Sequence, residues 1–276
     1  MNPITIIPMA IGIVLALFGM SKQKSGAPWG QPLAILGAII AIGAALWNVV
    51  GQATGGSANA IADREQRYMF IQGKFLGQEI KKAVPSCKKV VVLVDALSKF
   101  DVYGEPLAEP REDHTLLGLK EALGADVTVE TICQTVPKRK PQMMKGPDGT
   151  EIEVPMMPMD MLTFRDFKPL EKQIKGADVF VALSMLPMDV PIAQVLQFLG
   201  KGTKVALMNP GADTETLKKI FADGGNNIAD VVAAVMTKKS AIYDDKIPSN
   251  DKAAFDRRYV LITKSGYSAA LDEVDK

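Results

Sequence analysis

Lys89-Val90-Val91-Val92-Leu93-Val94-Asp95 is the run on which the fold turns. Five consecutive aliphatic residues between charges describe a strand covered on both faces, the pattern of a parallel sheet and not of a half-solvated antiparallel one. Working outward toward the C-terminus, Thr115 to Leu123 has helical spacing, with Asp113 or Thr115 to cap it and Gly124 to stop it. Strands are then expected at 126–133 (DVTVETIC), 177–183 (ADVFVAL), 203–208 (TKVALM) and 228–236 (IADVVAAVM). Helices are expected between the later ones, at 164–175, 190–199 and 214–222. Alternation of this kind implies an α/β fold with a doubly wound, mainly parallel Rossmann-like sheet. A final apolar segment, 258–263 (RYVLIT), adds an edge strand before a charged tail.

Working outward in the other direction, apolar positions Ile61, Tyr68, Phe75, Leu76 and Ile80 predict a helix over 60–84, ended by Pro85 and lying along the domain as a stalk. Before it, 51–59 is rich in Gly, Ser, Ala and Thr and reads as a flexible tether. Still earlier stand two runs without a charged side chain, Ile4 to Met20 and Pro32 to Val50. At about 1.5 Å per residue they reach about 26 and 29 Å, close to the thickness of a bilayer's hydrocarbon core. We therefore expect residues 1–50 to form a transmembrane helical hairpin and 60–276 one soluble domain.

The Met1-Asn2-Pro3 start lacks the basic residues of a cleaved leader, so the hairpin is expected to be retained as an anchor. Small residues recur four apart at Gly12 and Ala16 and at Gly37, Ala41 and Ala45, which lets helices approach closely in lipid. Lys22 and Lys24 lie immediately beside the first run. By the positive-inside rule they place the connecting loop in the cytoplasm and the soluble domain outside it.

Charge balance excludes some functions. Lys and Arg total 32 against 31 Asp and Glu, so no global field attracts nucleic acid. No glycine fingerprint or P-loop follows Asp95, and no nucleotide or other cofactor is expected. Cys87 precedes the first strand and Cys133 ends the second. On parallel neighbours they fall at opposite ends of the sheet, too far apart for a disulfide, so two free thiols are expected. His114, the only histidine, has no G-x-S-x-G elbow for company and reads as a helix-start residue. The acid pairs Asp244-Asp245 and Asp272-Glu273 read as water-facing. No metal site is expected.

In a doubly wound sheet, ligands bind beyond the carboxyl ends of the strands, where strand order reverses. That logic nominates Asp95, Ser98 and Tyr103 after the first strand, Ser184 after the third, and Asn209 and Gly211 after the fourth. The same residues also suit helix caps and turns, and both readings stay open.

The most unusual composition lies at 134–161. A basic cluster at 138–140 is followed by Met143 and Met144, a Gly-Pro-Asp-Gly turn at 146–149, an alternating segment, and then Met156, Met157, Met159 and Met161. This predicts a β-hairpin inserted after the second strand. It is far longer than an ordinary βα connection, and long insertions tend to carry function. Thioethers bind Cu(I), but they also form adaptable contact surfaces. Without a neighbouring His or Cys, a partner or self-association surface is the stronger reading.

Over 88–236 the chain resembles one lobe of the type I periplasmic binding proteins. The resemblance rests on KVVVLVD, on YGEPLAEP at 103–110, on GLKEALGADVTVE at 118–130, and on ADVFVAL followed by a helix and TKVALMNPG. In that family a similar order of strand, Tyr-Gly loop, helix and strand builds a lobe that clamps small solutes. The family closes two hinged lobes on its ligand, whereas this chain has length for one.

Two functional expectations result. The first is a membrane-anchored, non-enzymatic envelope protein whose domain contacts other envelope proteins or copies of itself through the methionine-rich insertion. The second is a tethered small-molecule binding or sensing module that uses the strand-end crevice. An enzyme is the weakest of the three classes, because no acid, base and nucleophile converge in the sequence.

Overall fold

The computed structural model describes residues 13–18, 20–22, 35, 38, 56–100, 106–133, 142–145, 150–154, 162–243 and 246–276. The chain divides into two compact units, 1–65 and 66–276. In the first, 13–18, 20–22, 35 and 38 are helical, and most of both apolar runs lies outside the described residues. Among the described residues no helix is long and apolar enough to cross a membrane.

The second unit is built on a six-stranded sheet. Its strands are β1 (Lys89–Val94), β2 (Thr128–Cys133), β5 (Val179–Ala182), β6 (Lys204–Met208), β7 (Asp230–Thr237) and β8 (Tyr259–Thr263). They lie in the order β2-β1-β5-β6-β7-β8, parallel except for the antiparallel pair β7 and β8. A separate two-stranded sheet pairs β3 (Gln142–Lys145) with β4 (Glu151–Val154), in the register Lys145 to Glu151 and Met143 to Glu153. The expected inserted hairpin is therefore present in its two strands, while its turn and Met156, Met157, Met159 and Met161 lie outside the described residues.

Alternation along β1 explains the layers. Val91 and Leu93 face one side, with Phe180, Val205 and Leu207 of the neighbouring strands. That side is covered by α4 (Glu171–Ile174), α5 (Ile192–Leu199), α6 (Thr214–Asp223) and α8 (Tyr267–Val274). Val90, Val92 and Val94 face the other side, covered by α1 (Gly56–Ala83), α2 (His114–Leu123) and α7 (Asp251–Arg258). A strand clad on both faces needs aliphatic residues at every position, which is why the KVVVLVD run is continuous. Moving outward from β1 in the two directions puts the crossover helices on opposite faces, as right-handed connections require.

Several local readings need correction. The helix expected over 60–84 begins at Gly56, so 56–59 belong to it and not to a tether. It is no stalk over its second half, because Tyr68, Ile71, Leu76 and Ile80 are fully buried against the sheet. Lys74 on this helix pairs with Glu121 of α2 at 3.0 Å and with Asp251 of α7 at 3.2 Å. These bonds, the Glu121 one foremost, raise the Lys74 pKa. The helix expected over 164–175 is broken into α3 (Phe164–Phe167), a 3-10 turn at Lys168–Leu170 and α4. Pro169 lies in that turn, where its missing N–H interrupts the helical ladder. The charged tail forms α8, which buries Leu271 and Val274. Its acids Asp272 and Glu273 face water as expected, with side chains 59% and 50% exposed, and there pair with Lys218 at 3.0 Å and Lys238 at 2.5 Å. Asp244 and Asp245 lie outside the described residues.

Candidate functional site

Connections leaving β1 and β5 go to opposite faces of the sheet, since β1 is followed by α2 and β5 by α5. The loops diverge there, and a crevice opens at the carboxyl ends of the strands. A cleft of about 240 Å³ occupies this position. Leu93 to Ala96 form one wall, Leu183 to Met185 a second, Met208 and Asn209 a third, and Leu162 approaches from the segment before α3.

Three of the nominated residues therefore line one cleft: Asp95, Ser184 and Asn209. Ser98 does not line it. Its hydroxyl donates to the Asp95 carbonyl at 2.5 Å and closes the 3-10 turn Ala96–Ser98. Gly211 lines an adjacent depression instead, and Tyr103 lies outside the described residues.

Each lining residue has a local reason for its place. Ser184 follows β5, and its N–H shares the Leu93 carbonyl with that of Leu183, at 3.3 and 3.0 Å. Asn209 has a φ of 40°, and among the described residues other than glycine it is the one with positive φ. Asparagine tolerates this region better than most residues. Its N–H donates to Val235 O at 2.8 Å, and its Oδ1 accepts from Thr237 N at 2.9 Å and Thr237 Oγ1 at 3.1 Å. The amide oxygen is thus spent on joining the ends of β6 and β7. Asn209 ties two strand ends together and also lines the cleft.

Sequence reasoning passed over the apolar part of the lining. Leu162, Met185 and Met208 supply much of the surface, and Met185 is exposed. The signal available was adjacency: Met185 follows Ser184, and Met208 precedes Asn209.

The adjacent depression, about 280 Å³, is bounded by Leu186 to Ile192 without Asp189, and by Pro210 to Asp213 with Thr216. Its polar residues are committed to the start of α6. Asp213 caps the helix by accepting from Thr216 N at 2.7 Å and from Thr216 Oγ1 at 2.9 Å. Those two bonds, the backbone one foremost, hold the Asp213 carboxyl below its ordinary pKa. Met185 stands between the two depressions, since a Cβ at Gly211 would lie 3.5 Å from its Cε.

Cys133, at the end of β2, lies beside the cleft's first wall, with its Sγ 3.8 Å from the Asp95 carbonyl oxygen. Burial pushes its thiol pKa up, and the Asp95 carboxylate adds to the shift while Lys99 opposes it. Cys87 is buried before β1, and neither cysteine is in a disulfide. His114 is the first residue of α2, whose cap is Asp113, accepting from Leu116 N at 3.0 Å. Among the described residues no three acid, histidine or cysteine side chains gather in a way that could hold a metal ion. No protein-family model, no curated protein and no solved structure matches this chain.

Proposed function

We propose that the α/β unit is a small-molecule binding module whose ligand enters the cleft between β1, β5 and β6, and that an N-terminal apolar hairpin tethers it to a membrane. One observation carries the binding reading: the cleft lies where strand order reverses and is lined by Asp95, Ser184 and Asn209 set among apolar side chains. Apolar walls with a few polar groups are the usual make-up of a ligand pocket. The likeness to one lobe of the type I periplasmic binding proteins points the same way. Recognition without catalysis and without a cofactor is the reading we adopt.

The tether reading rests on the two uncharged runs and on exposed apolar side chains at the described helical positions, Val14 at 64% and Leu17 at 63%. Such surface is costly in water and favourable in lipid. With Lys22 and Lys24 next to the first run in the sequence, we assign the domain to the extracytoplasmic side.

Thermal unfolding of the full chain against a panel of small polar solutes tests the binding reading. A ligand at 100 times its Kd stabilises by about 2.7 kcal/mol. Met185→Trp, which fills the cleft from an exposed position, should abolish the shift without lowering the transition of the unliganded chain. Shifts that survive in Met185→Trp place the ligand elsewhere and sink the reading.

A second reading is favoured by the β3 and β4 pair, which forms a sheet of its own in a methionine-rich insertion. Here Met143, Met144, Met156, Met157, Met159 and Met161 supply a surface for an envelope partner or a second copy, methionine being adaptable at contacts. Deleting 134–161 should abolish assembly while leaving the unfolding transition in place. Unchanged assembly excludes it.

A further inference from the structure

We infer that the chain forms a two-fold dimer in which the β8 strands of two copies pair antiparallel and continue the sheet from one domain into the other. This association is independent of the strand-end cleft and of the methionine-rich insertion. It starts from an edge: β2 and β8 are the outer strands of the six-stranded sheet. Natural edge strands are kept from pairing by charge, proline or a bulge. β2 has such a guard in Glu130, whose side chain is 50% exposed in mid-strand. β8 has none, since Tyr259-Val260-Leu261-Ile262-Thr263 contains no charge, proline or glycine and pairs with β7 in unbroken register.

That register fixes which backbone groups face outward. Lys238 N, one residue past the Thr237–Tyr259 pair, donates to Arg258 O at 2.8 Å. Bonded and non-bonded pairs alternate along an antiparallel ladder. Met236 with Val260 and Ala234 with Ile262 are therefore the bonded pairs, and Leu261, opposite Val235, belongs to the other kind. Val235 O accordingly turns to β6, accepting from Asn209 N at 2.8 Å. The N–H and C=O of Leu261 point away from β7, and neither bonds a backbone group among the described residues. A two-fold axis beside Leu261 aims the N–H of each copy at the C=O of the other, so this residue closes a bonded pair with its own counterpart.

The surroundings leave room for that pairing. A groove of about 300 Å³ lies beside the edge, with Tyr259 to Leu261 along it. On one face of the sheet α1 and α7 wall it, where Phe75 stacks on Phe255 with ring centres 4.4 Å apart, and on the other face α8 does so with Ala270. Its charged residues are Lys82, Lys252, Asp256 and Glu273, two of each sign. Each has an opposite charge within its own chain: Lys82 has Glu79, Lys252 has Asp256, and Glu273 has Lys238. An acidic or a basic segment would find as many like charges here as opposite ones, whereas a second copy brings the same balanced set.

Light scattering from the detergent-solubilised full chain should give the mass of a dimer that dissociates on dilution. Leu261→Lys sets two ammonium groups opposite each other across the axis and should weaken the dimer about tenfold or more. Leu261 is half-buried, so urea unfolding of this variant is followed alongside, and cross-linking gives a readout that needs no charge. In a Cys87→Ser, Cys133→Ser background, Leu261→Cys should form a disulfide-linked dimer on mild oxidation, because opposed residues of a bonded pair lie about 5.5 Å apart. Thr263→Cys should not, since position 263 faces position 259 in this pairing and its two copies stand about 14 Å apart. The dimer should also survive deletion of 134–161. A monomeric chain, a dimer that Leu261→Lys leaves as tight as before, or cross-linking through Thr263→Cys but not Leu261→Cys overturns the inference. Loss of the dimer on deleting 134–161 moves the contact to the insertion and overturns it as well.

Discussion

A Cβ placed on Gly73 of α1 would lie 1.9 Å from the carbonyl oxygen of Thr115 on α2. The relationship is reciprocal, since a Cβ on Gly118 would lie 1.9 Å from the carbonyl oxygen of Phe70. The two helices cross with backbone against backbone. Gly77 extends the contact one turn on, where its Cβ would lie 2.8 Å from that of Ala122.

Gly73→Ala should therefore destabilise the domain. An exposed helical Gly→Ala change gains about 1 kcal/mol of propensity. Here the obstacle is a carbonyl group, which no rotamer change can move aside, and forced overpacking costs about 1 to 3 kcal/mol or more. The clash wins, and a net loss of about 2 kcal/mol or more in urea unfolding is expected. Gly176→Ala is the control: its nearest neighbour would be 3.6 Å away, so its change should stay within about 0.5 kcal/mol.

Asp178 gives the fold a pH dependence of known sign. Its carboxylate accepts from the N–H groups of Lys88 and Lys89, at 2.7 and 2.8 Å, and its own N–H donates to Lys89 O at 2.9 Å. The start of β5 is thus tied to the start of β1. The Lys88 bond foremost, then the Lys89 bond, holds its pKa below the ordinary carboxylate value. A carboxylate depressed in the folded state stabilises above its unfolded pKa of about 3.9, and that share is lost as pH falls through the folded value. Asp178→Asn should lower the unfolding free energy at pH 7 by under about 1 kcal/mol, because solvent screens the exposed group. Its difference from wild type should shrink below about pH 4. A difference that is constant from pH 7 to pH 3 would contradict the assignment.

What the sequence made legible follows from range. The doubly wound order, the inserted hairpin strands and the Asp113 cap each have a local signal: a continuous aliphatic run, a Gly-Pro-Asp-Gly sequence, an acid three residues before the N–H it binds. The position of Asp95, Ser184 and Asn209 around one cleft came from strand-end logic, which needs only element order. The packing of α1 against α2 did not come through, because Gly73 and Gly118 are 45 residues apart and each looks like an ordinary helix-weakening glycine until its partner is known. Ser98 was misassigned for the opposite reason. A hydroxyl three residues past a carbonyl prefers that local acceptor to any distant ligand.

The two thiols should differ in reactivity. Cys87 is buried, and Cys133 is half-buried beside the Asp95 carbonyl. Burial is the leading cause of the raised pKa of each. A raised thiol pKa lowers the thiolate fraction at neutral pH, and the thiolate is the reactive form. In the native chain a thiol-reactive disulfide reagent should modify at most Cys133, more slowly than free cysteine at pH 7 and faster as pH rises. Both should react in urea. Rapid modification of Cys87 under native conditions would contradict its burial before β1.

Arg258, the last residue of α7, is 0% exposed. Its Nε donates to Ile242 O at 3.1 Å and its Nη2 to Tyr243 O at 3.2 Å, while the guanidinium lies 3.5 Å from the centre of the Tyr68 ring and 4.7 Å from that of Tyr243. One side chain therefore holds the segment after β7 against α1. Lysine keeps the charge but has neither the planar fork nor the stacking face. Arg258→Lys leaves a compact cation among groups arranged for a flat one, and loses a cation–π contact that is worth about 2 kcal/mol when desolvated, along with part of the carbonyl bonding. A loss of about 3 kcal/mol in urea unfolding is expected. Limited proteolysis should show cleavage within 238–250 before any cut in the sheet, because that segment loses its anchor while β7 and β8 stay paired. Wild-type resistance of 238–250 in Arg258→Lys would mean that the backbone bond of Lys238 N to Arg258 O, at 2.8 Å, holds the segment without the side chain.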